Sequence, residues 1–253
     1  MKPPVLWHFR GSHFNEKVRW ALDFKGIPHL RRTLGASYLP RALWKTGRPT
    51  LPVLLIDGKG IGDSTRIIEA LELLEPEPAL YPADAAERRR ALELEEFFDE
   101  ELGHPLRSAA LHEPLSEDPD FMAEFWSLGL GSGTRRLMRT IFPLMTRFYR
   151  LRHRIDSSSA EAGRVKIELA LDRVVAELQP SGYLVGDRFS VADLTAASLF
   201  GVTACPELLE YAVPSRLPPS LVALNELVSG HAAGSWVTEM YRRHRGKSAE
   251  LAA

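Results

Sequence analysis

Apolar and polar positions along this chain follow two different periods, and the change between them falls about a third of the way along. Val5-Leu6-Trp7-His8-Phe9 is a short apolar run of strand length. Between Ser12 or Asn15 and about Lys25, Phe14, Val18, Ala21 and Leu22 fall on one helical face, and Gly26 and Pro28 stop the pattern. His29 to Leu34 reads as a second strand, parallel to the first because a helix joins them. The stretch from Gly35 to Pro49 is weakly patterned. Val53-Leu54-Leu55-Ile56 is a buried strand ended by the turn pair Asp57-Gly58, and Lys59 to Gly62 leads from the next strand into a helix striped by Ile67, Ile68, Leu71 and Leu74.

After Pro76-Glu77-Pro78 the period is helical throughout. Leu92, Leu94, Phe97, Phe98 and Leu102 predict a helix ending at Gly103, with the charges from Glu87 to Glu101 on a solvated face. His104 to Asp120 reads as a loop and Phe121 to Leu128 as a short helix. From Thr134 to Ile155 arginines alternate with Leu137, Met138, Ile141, Phe142, Met145, Phe148 and Leu151, a packed helix with a wet basic face that Pro143 should kink. Asp156-Ser157-Ser158-Ser159 starts another helix, Ser190 another, and two more lie near Leu221 to Val228 and Trp236 to Arg245. The closing Tyr241-Arg242-Arg243-His244-Arg245 reads as a solvated basic turn. The pattern predicts an α/β domain followed by an all-α one.

Two short stretches carry the candidate chemistry. Pro52 stands at the start of a strand, where a missing N–H is tolerated. A cis Leu51-Pro52 bond is improbable from composition alone, since about 5–6% of X-Pro bonds in folded proteins are cis. If cis, it would turn the Leu51 main chain outward, toward an extended peptide. Asp63 is the expected N-cap of the next helix, whose free N–H groups suit a carboxylate while the Asp63 side chain suits an ammonium. Together these describe a site for an α-amino-acid head group, against the plainer reading of ordinary capping at Asp63 and Ser64.

The first strand, the Ser12-to-Arg19 helix start with Asn15-Glu16-Lys17-Val18, the Leu51-Pro52-Val53 turn and Gly62-Asp63-Ser64-Thr65 follow one another in the order of the soluble glutathione transferases, which the chain resembles. Phe189-Ser190-Val191-Ala192-Asp193-Leu194 is similar to that family's folding motif, in which Ser190 caps, Asp193 reaches back and Phe189 staples against Leu194. Leu80-Tyr81-Pro82-Ala83-Asp84 resembles the entry into its helical half, and the likeness weakens between residues 104 and 160. The resemblance implies a thioredoxin-like, glutathione-binding domain over residues 1–78 and an all-helical domain over residues 84–253. It implies a cis Pro52, Leu51 pairing with the cysteinyl backbone of glutathione, and Asp63 with Ser64 holding its γ-glutamyl end. The glycine carboxylate would fall to Arg41, Lys45 or Arg48.

Glutathione, the implied co-substrate, reacts as its thiolate, and a free thiol titrates near ~8.5. Ser12 stands where the family's Ser or Cys stands, with Asn15 as a second hydrogen-bonding group and His13 as a tuning group. No Cys lies between Ser12 and Asn15 and no Tyr in the first strand, which places the resemblance with serine-type members. A prostaglandin E synthase-like branch carries a Cys-x-x-Cys pair, and the single cysteine, Cys205, cannot supply one. The implied activity is attack of the thiolate on a small hydrophobic electrophile held between the helix over residues 134–155 and the segment over 102–110. A non-catalytic binding or scaffold protein on the same fold is the alternative, and a glutathione-dependent isomerase or dehalogenase a third.

Composition narrows the partners. The formal net charge is −1, which calls for neither nucleic acid nor an acidic membrane surface. No apolar stretch approaches the ~20 residues that span a bilayer, and Met1-Lys2-Pro3-Pro4 begins no secretory signal, so a cytoplasmic location is expected. Gly129-Leu130-Gly131-Ser132-Gly133-Thr134 is a connector, because no strand precedes it and no Gly-Lys-Ser/Thr follows. No metal ligand set is assigned. Members of the family usually pair as dimers, which the sequence neither supports nor excludes.

Overall fold

The computed structural model describes residues 2–35, 37–211, 214 and 216–252. Met1 and Ala253, the outer ends of the expected division, lie outside them. Four short strands, β1 (Val5–His8), β2 (Leu30–Thr33), β3 (Val53–Ile56) and β4 (Lys59–Gly62), form one sheet in the order β2-β1-β3-β4. β1 and β2 are parallel, joined by helix α1 (His13–Phe24), while β3 runs antiparallel to β1 and β4 antiparallel to β3. The β3–β4 turn places Asp57 at φ 47° and Gly58 at φ 81°, two left-handed positions that suit the twist of a tight hairpin. Helix α2 (Tyr38–Thr46) leads to β3, and α3 (Ser64–Leu74) follows β4.

Residues 35–49, weakly patterned in sequence, thus contain a helix. Of its residues only Ala42 is buried, so it has almost no apolar stripe to read.

The second part is helical: α4 (Ala85–Phe97), α5 (His104–Leu111), the short α6 (Pro114–Glu117), α7 (Pro119–Phe125), α8 (Ser132–His153), α9 (Ser157–Glu177), α10 (Val191–Ala204), α11 (Pro219–Ser229) and α12 (Ala232–His244). Two expectations are corrected here. The helix from residue 85 does not stop at Gly103, because a π-helical turn, Phe98–Gly103, carries it into α5. Gly103 is there for room: a Cβ on it would lie 2.3 Å from the Phe14 ring of α1. Residues 104–120 are therefore mostly helix instead of a loop. α8 runs through Pro143 unbroken.

α10 is buried nearly throughout and begins with the expected capping box. Asp193 accepts from the main-chain N–H of Ser190 (2.9 Å) and of Leu184 (2.8 Å). Phe189, the expected staple, also stacks on Trp20 and His244 and meets Phe24, so the same residue joins the two parts of the molecule. One apolar core, with Leu6, Trp20, Leu71, Phe98, Leu171 and Phe200 among its members, runs through both.

Charged groups join them as well, and here the sequence reading fails. Lys17 of α1 is fully buried, and its Nζ donates to Glu95 (2.8 Å) and Asp99 (2.7 Å). Burial disfavours the charge on Lys17, but Asp99 and Glu95 outweigh it and hold the ammonium above its ordinary range. The Thr65 hydroxyl at the start of α3 lies 3.0 Å from both carboxylates, its single proton shared between them. The acidic face of residues 87–101 is thus only partly solvated. Arg245 corrects the basic C-terminal turn in the same way, since it is buried and pairs with Glu16 (2.7 Å), Asp23 (2.7 Å) and Glu210 (3.0 Å).

Removing one partner of a buried pair leaves the others charged and unpaired, at a cost of about 3–5 kcal/mol. Lys17→Met should lose that much in denaturant unfolding, and a loss below about 1 kcal/mol would show that Glu95 and Asp99 do not depend on it. Acid adds a second expectation. Burial, with Arg107 and His104, lowers His13 to about 3, and burial, with Arg19 and Arg31, lowers His8 to about 2. The unfolded chain therefore binds protons below pH ~6.5 that the folded one refuses, and stability that is complete above that pH falls as pH drops through it. Melting measured from pH 7 to pH 5 should decline, and His13→Gln should flatten that decline.

Candidate functional site

A cavity of about 1080 Å³ opens between the sheet-bearing part and the helical part. Its lining includes all six residues singled out in the sequence: Ser12, Asn15, Leu51, Pro52, Asp63 and Ser64. Each arrives from an element boundary. Ser12 caps α1 with an extended backbone, its Oγ accepting from the Asn15 N–H at 3.4 Å, so the hydroxyl proton stays free to point into the cavity. Asn15 is buried and uses its Oδ1 to accept from the Phe9 N–H at 3.3 Å, which pins it one turn along from Ser12.

The Leu51-Pro52 bond is cis. Among the described residues no hydrogen bond engages the main chain of Leu51, so its N–H and C=O remain available at the cavity edge. Asp63 and Ser64 stand at the start of α3, where the first-turn N–H groups point outward.

Asp63 occupies the N-cap position, but its side chain makes no capping bond and its φ is 82°. Asp63 is thus the N-cap by position, as expected, but its carboxylate is turned to a cation instead of the helix: Arg48 Nη1 donates to Asp63 Oδ2 at 2.9 Å. Both partners are more than one-third exposed, so the pair is worth about 0–1 kcal/mol and yields readily to a competing charge. Of the three cations weighed in sequence, Arg48 lines the cavity, while Lys45 donates to the Gly58 carbonyl at 3.2 Å and lies over the Trp44 ring.

His13 does not face the cavity. Its ring packs on Phe14 with centroids 4.6 Å apart, and burial keeps it neutral. Neighbouring side chains at a helix start diverge, so Ser12 and His13 serve different sides of α1. Cys205 is buried, which pushes its thiol up to about 12, and it is inert at neutral pH.

The helical wall holds groups that the sequence reading placed only as segments. The basic-apolar helix contributes Met138, Met145, Phe148, Tyr149, Arg152 and His153, and α5 contributes His104 and Arg107. Arg107 Nη1 donates to His153 Nδ1 at 3.1 Å, which fixes Nδ1 as an acceptor, because guanidinium only donates. Burial, Arg107, Arg152 and His104 together lower His153 to about 4. Tyr149 lies between Trp126 (4.8 Å) and His153 (4.3 Å), and its burial pushes the phenol up. Tyr38, from the helix that went unread, completes this end. The repeated arginines of α8 were the signal, but which of them turn inward depends on helix phase around Pro143.

The arrangement has two chemically distinct sides. One offers main-chain donors and acceptors, a hydroxyl and a helix start, and the other offers aromatic rings, thioethers and cations. Among the described residues no helix is long and apolar enough to cross a membrane.

The chain has relatives among known proteins. The sequence profile described as "Glutathione S-transferase, N-terminal domain" matches residues 6–79, and that described as "Glutathione S-transferase, C-terminal domain" matches residues 137–223. The chain is 25% identical over 203 residues to "FtsZ-localized protein A" of Caulobacter vibrioides, covering 78% of this chain and 76% of that protein. Among solved structures, a glutathione S-transferase from Rhodospirillum rubrum superposes with TM-score 0.57 at 22% identity, covering 92% of this chain and 91% of that one. One from Methylobacterium radiotolerans, in complex with glutathione sulfonate, superposes with TM-score 0.57 at 22% identity, over 92% of each chain.

His153 should titrate near 4 and carry its neutral proton on Nε2. Nitrogen-15 spectra of the imidazoles check this at pH 6, and Arg107→Gln should raise the value. A His153 that is protonated at pH 6 would contradict the burial and the cationic surroundings described.

Proposed function

The chain belongs to the glutathione S-transferase family, and on that premise we propose that it binds glutathione along the start of β3 and α3 and activates its thiol as co-substrate. The observation that carries this reading is the convergence of Ser12, the free Leu51 main chain beside the cis Pro52, and the α3 helix start on one cavity edge. An extended tripeptide fits that edge in one direction. Its γ-glutamyl carboxylate would take the first-turn N–H groups and the Ser64 hydroxyl, and its ammonium would take Asp63 from Arg48. The cysteinyl main chain would pair with Leu51, which turns the sulfur toward Ser12. Released from Asp63, Arg48 would stay beside the γ-glutamyl carboxylate.

A hydroxyl donating to the sulfur stabilises the thiolate, and lowering the thiol pKa by two units supplies about 2.7 kcal/mol. Asn15 holds the Phe9–Ser12 turn in place. The electrophile would occupy the space beneath Met138, Met145 and Phe148, where apolar contact holds it against the sulfur. Cytoplasmic detoxification by a homodimer is consistent with this chemistry.

A second reading is favoured by the similarity to FtsZ-localized protein A: a protein that keeps the fold and binds partners without turnover. Glutathione separates the two. A ligand at ~100 times its dissociation constant stabilises by about 2.7 kcal/mol, so glutathione should raise the melting temperature by several degrees, and millimolar glutathione without effect would leave the second reading standing. Ser12→Ala should slow conjugation of 1-chloro-2,4-dinitrobenzene by about tenfold or more, as loss of about 1.4 kcal/mol of thiolate stabilisation requires, while glutathione still binds. Unchanged turnover would remove Ser12 from its role.

A further inference from the structure

The helical wall of the cavity carries two guanidinium groups that no carboxylate neutralises among the described residues, although Arg107 lies 5.8 Å from the centre of the Phe14 ring. Arg107 and Arg152 are half-buried and, among the described residues, neither lies within ion-pair distance of a carboxylate. Among the described residues their hydrogen-bond acceptors are neutral: Arg107 donates to the His153 ring, and Arg152 donates to the Pro49 carbonyl at 2.9 Å. The Nε of Arg152 is buried without any hydrogen-bond partner. Partly buried charges are ordinarily paired, so two of them at one end of a cavity leave a place for an anion.

The groups around them fit the same ligand. The Tyr38 and Tyr149 hydroxyls have no protein partner among the described residues, and burial keeps both protonated as donors. His153 links them, since Arg107 donates to its ring at 3.1 Å and the Tyr149 ring lies 4.3 Å from it, and Tyr38 and Arg152 line the same cavity. Acidic residues line the cavity as well, and Asp63 is paired with Arg48. Glu95 and Asp99 are held by Lys17, and Glu96 and Glu100 are exposed on α4 and the π turn. The carboxylates of the lining are thus paired or exposed, whereas the cations of α5 and α8 are half-buried and unpaired among the described residues, and an anion settles on them.

We propose that the acceptor site takes a planar aromatic or unsaturated compound bearing a carboxylate, with the carboxylate held between Arg107 and Arg152 and the ring against Tyr149 and Phe148. A guanidinium meets a planar carboxylate through two parallel N–H donors, which favours this anion over a point charge. This rests on the glutathione reading for its chemistry, in which the thiolate forms a C–S bond either by displacing a halide from the ring, which leaves with its bonding pair, or by adding to the double bond, whose π pair takes a proton from water. The subsite itself does not rest on that reading.

2-Naphthoate and its neutral isostere 2-naphthamide test it by titration calorimetry on the whole protein. The wild type should bind 2-naphthoate more tightly than 2-naphthamide by about tenfold, the worth of one charge-assisted contact. Arg107→Gln should abolish the difference, and Arg107→Lys should restore part of it. Arg152→Gln repeats the test, and the melting curve of each variant reports whether it folds. Saturating glutathione should leave 2-naphthoate affinity unchanged within about threefold. Equal affinity for the two probes, or indifference to both glutamine substitutions, would overturn the subsite. Displacement of 2-naphthoate by glutathione would assign the arginines to glutathione's own glycine carboxylate and overturn the acceptor proposal. If glutathione gives no binding signal while the naphthoate preference and its loss in Arg107→Gln persist, the glutathione reading fails and the anion subsite stands.

Discussion

The buried ammonium of Lys17 is the constraint on which the rest of the molecule depends. A lysine of α1 loses all its water and is compensated by Glu95 and Asp99 of the helical part, with Thr65 of α3 closing the group. Desolvating three charges is costly, and only close, multiply bonded geometry offsets it. An apolar interface tolerates sliding, but this cluster is satisfied in one arrangement. It therefore sets where α4 and its π turn lie relative to α1 and α3. Arg245, pairing with Glu16 and Asp23 of the same α1, does so from the other end.

The cavity exists because of that docking. Its polar edge comes from the ends of β1, β3 and β4 and the starts of α1 and α3, and its aromatic and cationic wall from α5 and α8. Ser12 lies near the join, five residues before Lys17 on the same short segment. A shift in the ion cluster would thus move the hydroxyl relative to the helical wall, and stability and site geometry are coupled through α1. The π turn adds to this. It carries Asp99 toward Lys17 and brings Gly103 against Phe14, which itself lines the cavity.

How much of this was legible depends on how local the cause is. β1 to β4 and the starts of α1, α3 and α10 could be read because strand runs, Gly stops and Ser-x-x-Asp caps act within a few residues. α2 could not, because its only buried side chain is Ala42 and glycines and prolines flank it. Gly103-His104-Pro105 looks like a helix end, and only Phe14, distant in sequence, explains why a glycine stands inside a continuous helical segment. Glu95 and Arg245 looked solvated because their partners lie 78 and 229 residues away. The site divides the same way: Ser12, Leu51, Pro52, Asp63 and Ser64 sit at readable turns, whereas Tyr38, Arg107, Tyr149 and His153 come together only when the helices are packed.

On the proposed function, this packing presents the glutathione thiol to Ser12, whose hydroxyl stabilises it as the thiolate. The ultraviolet absorbance of the thiolate, titrated with pH for glutathione bound at saturation, measures that directly. A bound thiol ionised at neutral pH is expected, its pKa well below the ~8.5 of a free thiol, with the shift largely lost in Ser12→Ala. A bound thiol that titrates at its free value in the wild-type protein would contradict it.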